Sequence, residues 1–241
     1  MSVQDALLAW FESHGRDLPW RHTRDPYAIL VSETMLQQTQ VARVRPHYLA
    51  WLSRWPTVES LAAAPAADVI RAWQGLGYNR RAIGLHRAAR MIAADGWPED
   101  LTALPGIGRY TADALACFAF GADVLPQDVN VRRVIERTGG RFGAGCAQAL
   151  MDLGATVCLA RVPRCAVCPL APACPSRGRR YSPLRRQPRF EGSFRQRRGQ
   201  ALRRLAAGPL PLGQLDSEAV DSLAADGLVE IDGTQARLPA V

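Results

Sequence analysis

The chain has 241 residues, of which 48% are hydrophobic and 22% are charged, so it holds enough apolar material for one large domain or two small ones. This composition excludes disordered, collagen-like and small disulfide-rich proteins. Thirty basic residues against 22 acidic ones leave a formal charge of +8, which favours a polyanionic partner, either nucleic acid or an acidic membrane.

Two absences narrow the setting and the chemistry. No apolar run approaches the ~20 residues of a membrane span, and the first residues lack the basic start and apolar stretch of a secretion signal. We therefore expect an intracellular, cytoplasmic protein with no membrane partner. Every basic residue is Arg and none is Lys. A GC-rich genome explains this composition most simply. Without lysine, the chain has no side-chain amine that could form a Schiff base.

Most of the chain up to residue 157 has the periodicity of helices. Apolar residues recur at three- and four-residue spacing, and Gly or Pro separates the segments, which predicts one helix after another. The predicted helices cover residues 3–14, 27–41, 43–54, 58–63, 66–75, 80–94, 101–104, 110–120, 128–137 and 146–157. The sequence therefore predicts an all-α fold.

The C-terminal part has a different composition. Residues 177–204 carry eleven Arg against one acid, Glu191, and form either a solvated linker or, as we prefer, an arm that follows DNA phosphates. A helix over 218–226 and a hairpin of 229–231 with 236–238, turned by Asp232-Gly233, then predict a small winged-helix-like tail.

A Gly-rich turn lies between two short helical segments, at Leu104-Pro105-Gly106-Ile107-Gly108. Its glycines allow a sharp turn and a close approach of another backbone, and the following helix directs free N–H groups outward. These features favour a helix-hairpin-helix that grips phosphate. A nucleotide-binding loop is excluded because its Gly-Lys-Ser/Thr is missing.

Four cysteines follow one another in a Pro-rich stretch with the spacing C-x6-C-x2-C-x5-C. They are Cys158, Cys165, Cys168 and Cys174. In an intracellular protein this spacing favours metal or cluster binding over disulfides. A single compact loop suits a [4Fe-4S] cluster better than zinc, whose sites usually consist of two separated pairs. Zinc and unliganded thiols stay as alternatives.

The order of these motifs resembles a known family. A hairpin, an acid at Asp128 about twenty positions later, and then the cysteine loop are similar to the helix-hairpin-helix DNA glycosylases that carry an iron-sulfur cluster. Segments 32–41 and 75–78 resemble the adenine DNA glycosylase (MutY) branch, and the resemblance covers residues 5–175. It implies a two-lobed glycosylase fold with an iron-sulfur cluster loop, to which the sequence adds the tail.

The resemblance also implies a cofactor, a partner and a division of the chain. We expect a [4Fe-4S] cluster, a monovalent cation at the hairpin, and a nucleoid-associated monomer that binds double-stranded DNA with a mispaired base. Residues 1–22 and 128–176 would form the cluster lobe and residues 23–127 a six-helix lobe with the hairpin. Residues 177–204 would be the basic linker or arm, and 205–241 the tail.

Two carboxyl groups are the candidate catalysts. Glu33 lies among apolar residues, which disfavour the charged form of a carboxyl, so it could hold the proton that adenine needs in order to leave. Asp128, ionised, would stabilise positive charge on the sugar as the bond breaks. An ordinary helix carboxylate in a salt bridge is the alternative for each. The resemblance places Tyr110 and Asn130 beside the same sugar.

The resemblance further assigns contacts to the substrate and the duplex. Around the extruded adenine it places Arg16, Trp20, Leu36 and Gln148, for which core or solvated positions are the alternatives. Gln38 and Tyr78 would wedge into the gap that the base leaves, offsetting part of the unstacking cost. The remaining residues assigned to DNA are Gln37, Thr39, Leu76, Gly106, Ile107 and Gly108.

Position 110 predicts the type of reaction. In the related endonuclease III branch the residue after Gly-x-Gly-Arg is a lysine that forms a Schiff base and cuts the strand, whereas this chain has Tyr110 and no lysine. We therefore expect a monofunctional hydrolase that leaves an abasic site.

The sequence departs from the family in four places. Asn79 replaces a usual Tyr, Val129 replaces a usual Gly, and the stretch 138–145 is short. Residues 177–241 show no counterpart of the larger domain with which relatives recognise 8-oxoguanine.

Three functions compete. The first is excision of adenine opposite 8-oxoguanine or guanine in base excision repair. The second is excision of thymine or uracil opposite guanine on the same scaffold, but Gln37-Gln38-Thr39 favours adenine. The third is a cluster-bearing DNA-binding module without catalysis, which has no use for the carboxyl groups of Glu33 and Asp128.

Overall fold

A computed structural model describes residues 2–182 and 189–240. The protein is mainly helical, as predicted. Its helices are α1 (Val3–His14), α2 (Pro26–Leu36), α3 (Val41–Arg54), α4 (Val58–Ala62), α5 (Ala66–Ala72), α6 (Arg80–Asp95), α7 (Arg109–Phe118), α8 (Val129–Thr138), α9 (Ala147–Thr156), α10 (Phe194–Leu205) and α11 (Ser217–Ala225). Among the described residues no helix has the length and apolar character that a membrane crossing requires.

The chain divides into two compact units. The cysteine unit contains Met1–Pro26 and Arg109–Gln187, and the hairpin unit contains Tyr27–Gly108 and Pro188–Val241. This division has other bounds than the one predicted from the sequence. Helix α7 belongs to the cysteine unit, and the C-terminal tail belongs to the hairpin unit.

The cysteine unit is built around α1, α8 and α9. Helix α1 begins with a capping box, in which the Ser2 hydroxyl accepts from the Asp5 N–H at 3.1 Å and the Asp5 carboxylate accepts from the Ser2 N–H at 2.8 Å. Apolar residues from the three helices form one core. They include Leu7, Val131, Val134, Leu150 and Leu153, all fully buried.

Helices α2 to α6 form the body of the hairpin unit. Its core contains an aromatic group in which Trp51 packs edge-on against Trp55 and Trp73, with ring centroids 4.7 and 5.5 Å apart. Helix α2 is buried at nearly every position. The sequence predicts one helix from 27 to 41, but α2 ends at Leu36 and α3 begins at Val41, because Gln38 has a φ of 55° that no right-handed helix accommodates.

The hairpin follows a short 3-10 turn, Leu101–Ala103, and precedes α7. Gly106 has a φ of 80°, a conformation that favours glycine. Its Cα lies in van der Waals reach of Gly84 in α6, since a Cβ at Gly84 would be 3.6 Å from it. The hairpin therefore rests directly on the backbone of α6.

The tail is a winged-helix-like arrangement that shares a core with α5 and α6. Strands β1 (Leu210–Pro211), β2 (Glu230–Asp232) and β3 (Gln235–Arg237) form an antiparallel sheet in the order β1-β3-β2. Asp232 pairs with Gln235, so the turn consists of residues 233 and 234. Ile70 of α5 and Ile83 of α6 belong to the same buried cluster as Leu202, Leu223 and Leu228 of the tail.

Part of the predicted basic arm is the helix α10. Its apolar positions Ala201, Leu202 and Leu205 face the tail core. Two of its arginines bind acids of the tail. Arg197 pairs with Asp216 at 2.9 Å and Glu218 at 2.7 Å, and Arg198 pairs with Asp226. These guanidinium groups form ion pairs within the hairpin unit. Residues 183–188 of the predicted arm lie outside the described residues.

Candidate active site and DNA-binding surface

Asp128 is held at the N-terminus of α8. Its Oδ1 accepts from the N–H groups of Asn130 at 2.8 Å and Val131 at 2.7 Å, and its Oδ2 accepts from the Asn130 side-chain amide at 2.9 Å. Three N–H donors and the positive end of the helix dipole stabilise the ionised carboxylate. The half-buried carboxylate is therefore held in one orientation by its donors.

Asn130 connects this carboxylate to the rest of the cysteine unit. Its side-chain oxygen accepts from Arg133 Nη2 at 2.7 Å. The same guanidinium donates to the carbonyl oxygens of Gly154 at 2.5 Å and Cys158 at 2.8 Å, and burial lowers the pKa of Arg133. Sequence analysis did not single out Arg133, because the carbonyl groups of Gly154 and Cys158 that it binds lie more than twenty residues away in the chain. Tyr110, in the first turn of α7, is half-buried.

A buried carboxylate binds one of the residues assigned to the adenine. Asp152 in α9 is fully buried and accepts from Arg16, through its backbone N–H and Nε at 2.8 Å each, and from Arg21 Nη1 and Nη2 at 2.9 and 2.7 Å. Burial by itself raises the pKa of Asp152, but the bonds from Arg21 and Arg16 outweigh it and lower that pKa. Gln148 lies one helical turn before Asp152, on the same side of α9. Trp20 is 8% exposed.

Asp152 and Arg21 were missed by sequence analysis. A single acid in the apolar stretch Leu150-Met151-Asp152-Leu153 is a signal that could have found the first, because an unpaired charge is rarely buried. Arg21 is one Arg among thirty and gave no comparable signal.

Glu33 and Leu36 are the site candidates on α2. Glu33 is 6% exposed, in a helix whose neighbouring positions Ser32 and Thr34 are also buried. Leu36 is half-buried at the last residue of the helix. The Glu33 carboxyl group is therefore largely removed from solvent.

The two predicted wedge residues share an unusual backbone. Gln38, with a φ of 55°, and Tyr78, with a φ of 48°, are the non-glycine residues with positive φ among the residues that the structure describes. This conformation costs about 1–3 kcal/mol at a residue other than glycine and collects at functional sites. Gln38 is exposed, Tyr78 is 41% exposed and Gln37 is half-buried.

The other two residues of these loops that were assigned to DNA face inward. The Thr39 hydroxyl lies 3.2 Å from the Leu76 carbonyl oxygen, to which it donates, and the Leu76 side chain is 2% exposed. Both connect the loop at 37–40 to the loop at 75–78. Arg81, which sequence analysis did not single out, binds the backbone of both loops.

A basic cleft of about 650 Å³ lies next to the hairpin, within the hairpin unit. Its walls come from α6, the hairpin and the end of α11, and they include Arg80, Arg87, Gly106 and Asp226. Asp226 pairs with Arg80 at 3.3 Å. Gly106 and Gly108 are exposed while Ile107 is buried. The hairpin therefore presents the backbone of its glycines to solvent, and the Ile107 side chain packs inside the protein.

The four cysteines line one cavity in the cysteine unit, with Val134, Leu153 and Val157 among its apolar walls. Burial, followed by the charges of the other three cysteines, raises the pKa of Cys168, against a backbone hydrogen bond that lowers it. Two N–H groups point at sulfur: Arg137 Nη1 lies 3.5 Å from Cys158 Sγ and the Gly178 N–H donor 3.3 Å from Cys165 Sγ.

Arg137 closes this cavity on one side. It is 8% exposed, donates to the carbonyl oxygens of Leu159 and Ala160 at 2.7 and 2.6 Å and stacks on the Tyr181 ring at 3.7 Å. A buried guanidinium therefore lies beside the sulfur of Cys158.

Comparison with known proteins agrees with this architecture. The model of the HhH-GPD superfamily base excision DNA repair proteins matches residues 31–144. In structure, the protein is similar to a thermostable thymine-DNA glycosylase, with 30% identity, a TM-score of 0.65 and coverage of 71% of this chain and 93% of the other. A trapped endonuclease III–DNA intermediate, at 22% identity with a TM-score of 0.60 and coverage of 72% and 92%, shares the fold. The fold and the hairpin are those of the helix-hairpin-helix base excision repair proteins.

Relatives in sequence narrow the class. The chain is 44% identical to the adenine DNA glycosylase of Mycolicibacterium smegmatis over 93% of this chain and 91% of the relative. It is 39% identical to the human adenine DNA glycosylase over 74% of this chain and 40% of the relative. The chain belongs to the adenine DNA glycosylase (MutY) family. A match over 93% of the chain also extends beyond residue 175, where the resemblance was expected to end.

Proposed function

We propose that this protein hydrolyses the N-glycosidic bond of adenine mispaired with 8-oxoguanine or guanine in double-stranded DNA, as a step of base excision repair. The observation that carries the proposal is a pair of carboxyl groups in opposite environments. Glu33 is buried in a mainly apolar helix, whereas Asp128 is bound by three N–H donors at a helix N-terminus. Such a contrast separates a proton donor from a permanent anion.

In the proposed reaction Glu33 gives its proton to a ring nitrogen of the extruded adenine. The bond between the sugar and the base then breaks with its electron pair on the base, and positive charge develops on the sugar. Asp128 stabilises that charge, held in place by Asn130, and Tyr110 lies beside the sugar. Water adds to the sugar carbon, and the proton that it releases restores Glu33.

We propose that the reaction stops at the abasic site. Strand cleavage by this family of folds requires an amine that forms a Schiff base with the opened sugar. Tyr110 offers a hydroxyl, and the sequence contains no lysine.

For contacts with the adenine we propose Arg16, Trp20 and Gln148 of the cysteine unit and Leu36 of the hairpin unit. The backbone and guanidinium of Arg16 are fixed by Asp152, so its remaining N–H donors are pre-oriented for an acceptor on a base. Asp152 acts here through Arg16 and Arg21, since its own oxygens are occupied by them.

For DNA binding we propose three elements of the hairpin unit. The exposed backbone at Gly106 and Gly108 grips phosphate, Gln38 and Tyr78 enter the duplex, and Arg80 and Arg87 of the basic cleft attract the phosphate backbone. We propose that the protein does this as a monomer.

We further propose that Cys158, Cys165, Cys168 and Cys174 hold a [4Fe-4S] cluster. Four thiols on one cavity, with N–H donors and Arg137 next to the sulfurs, fit such a group. The spacing of these cysteines in one compact loop favours such a cluster over zinc, whose sites usually consist of two separated pairs. The cluster would support the loop that carries Arg161 and Arg164 and take no part in bond cleavage.

The decisive experiment is single-turnover base release from matched duplexes. They contain adenine opposite 8-oxoguanine, adenine opposite guanine, thymine opposite guanine and uracil opposite guanine, with Glu33→Gln as the inactive control. The proposal is supported if the wild type releases adenine and Glu33→Gln does not. The release rates from the two adenine duplexes then rank the opposite bases.

A second candidate function is excision of mispaired thymine, which the similarity to a thymine-DNA glycosylase at 30% identity favours. Release of pyrimidine alone in the same experiment would select it. Tight binding of every duplex with no release at all would leave only a DNA-binding module.

A further inference from the structure

Arg81 makes an unusual set of hydrogen bonds in the first turn of α6. Its Nη1 donates to the carbonyl oxygens of Thr34 at 2.7 Å, Met35 at 3.0 Å and Gln37 at 2.7 Å. On the other side, Nη2 donates to the Thr39 hydroxyl at 3.0 Å and to the carbonyl oxygens of Leu76 and Gly77 at 3.3 and 2.9 Å, and Nε reaches the Tyr78 carbonyl at 3.3 Å.

These seven acceptors belong to two separate segments of the chain. Thr34, Met35, Gln37 and Thr39 end α2 and form the loop around Gln38, and the other three precede α6 and end at Tyr78. Carbonyl oxygens at a helix end need partners from outside the helix, and one guanidinium supplies them here. The ring of Tyr78 also lies 5.6 Å from the Arg81 guanidinium carbon.

Without the hydrogen bonds from Arg81, the backbone of the two loops would be free to adopt conformations of lower energy. Each has at its tip a non-glycine residue with positive φ, a conformation that persists only where the surroundings determine it. Arg81 is half-buried, and burial lowers its pKa to about 10, so it keeps its charge at neutral pH.

We propose that Arg81 is a positioning residue that holds the loops of Gln38 and Tyr78 together as one rigid wedge, so that it controls the extrusion of the target base. This inference rests on the proposed function, since it assigns a step within base excision. Lysine cannot replace Arg81, because an ammonium group has three donors at one point while guanidinium has five in a planar fork.

The test compares a paired adenine with one that leaves the stack easily. Duplexes contain adenine opposite guanine, or adenine opposite an abasic-site analogue in the same flanking sequence. Extrusion costs less for an unpaired base, so we expect Arg81→Lys to slow single-turnover release about tenfold or more from the first duplex and about threefold or less from the second, each relative to wild type. The matched control is Arg90→Lys, an exposed position of the same helix, which should change neither rate.

Two further variants keep the inference testable. Thr39→Val removes one acceptor of Arg81 and should show the same preference for the unpaired adenine with a smaller loss, even if Arg81→Lys proves unstable in thermal unfolding. Tyr78→Ala should remove most of the effect of Arg81→Lys, because residues that act as one unit are not additive.

The outcomes separate the two proposals. Equal losses from both duplexes in Arg81→Lys and Thr39→Val, or additive effects with Tyr78→Ala, would overturn the wedge role while excision by the wild type stands. A wild-type protein that releases no adenine from either duplex would instead overturn the proposed function.

Discussion

Arg133 donates to the side-chain oxygen of Asn130 at 2.7 Å, on the opposite side of the amide from Asp128. One amide therefore joins the anionic carboxylate to a guanidinium that also binds the carbonyl of Cys158. The orientation of Asp128 depends in this way on the end of α9 and on the start of the cysteine loop.

Replacing Arg133 should impair bond cleavage more than DNA binding. In Arg133→Gln the Asn130 amide loses its fixed partner, and we expect single-turnover adenine release to fall about tenfold to a hundredfold, the range for losing orientation at a reacting centre. Affinity for uncleavable duplex, measured by fluorescence anisotropy, should change little. The control is Arg132→Gln, the same change at the exposed neighbouring position. A variant that loses affinity and rate in equal proportion would contradict this role.

Asp152 should be essential for the stability of the cysteine unit. Asp152→Asn leaves the guanidinium groups of Arg16 and Arg21 without their buried counter-charge, and we expect the free energy of unfolding to fall by about 3–5 kcal/mol. Urea unfolding followed by circular dichroism measures this. Asp17→Asn, at an exposed carboxylate that pairs with His22, should cost little. If both substitutions lowered the free energy of unfolding by the same small amount, the buried network around Asp152 would contribute nothing to stability.

The helices could be predicted from the sequence better than their junctions. Most predicted helices appear within a few residues of their bounds, because apolar periodicity reports the face that each helix buries. The break between α2 and α3 could not be predicted, because the Arg81 guanidinium that binds the carbonyl groups at the end of α2 lies more than forty residues away. Helix α10 was missed because its many arginines obscure a short apolar face in the sequence. Two of these arginines pair with acids in α11 or in its two cap residues.

The site follows the same pattern. Motif residues such as Glu33, Asp128 and the cysteines stand out by chemical type and spacing. Arg81, Arg133 and Arg137 do not, because each acts on carbonyl groups that only the folded chain brings near and each is one Arg among thirty. Thr39 and Leu76 stood out as motif residues, yet their side chains face inward.

His86 should make stability depend on pH. It is 4% exposed, its Nε2 has no hydrogen-bond partner among the described residues, and burial, with the charge of Arg90, lowers the pKa of His86 below 6.5. The unfolded chain then binds the proton more readily than the folded one, so stability is full above about pH 6.5 and falls as the pH drops below it.

Thermal unfolding between pH 8 and pH 5 tests this dependence. His86→Leu removes the titrating group and should flatten the curve over this range, whereas His14→Gln, at an exposed histidine, should leave it unchanged. An equally steep curve in His86→Leu would assign the dependence to other groups.

Replacing a cysteine of the loop should remove the cofactor, whereas replacing a cysteine outside the loop should not. Cys168→Ser removes one of the four proposed ligands and should abolish bound iron and the visible absorption of iron-sulfur charge transfer. Cys117→Ser, at a half-buried cysteine outside the loop, should retain both. Iron analysis and absorption spectroscopy of the purified proteins measure the outcome, and zinc in place of iron in the wild type would refute the cluster.

Gly154 should tolerate no side chain, because α8 passes directly over it. A Cβ at this position would lie 2.6 Å from the Asn130 Cβ and 2.9 Å from the Asn130 carbonyl oxygen, closer than packed atoms allow. Gly154→Ala should therefore displace Asn130 from Asp128, lowering the thermal midpoint and slowing adenine release about tenfold or more, since overpacking typically costs about 1–3 kcal/mol. Gly145→Ala, where a Cβ meets nothing within 4 Å, is the control. Because Gly154 and Arg133 act on the same amide, their combined effect on the rate should be less than the product of the two; independent effects would mean that Asn130 is not the link.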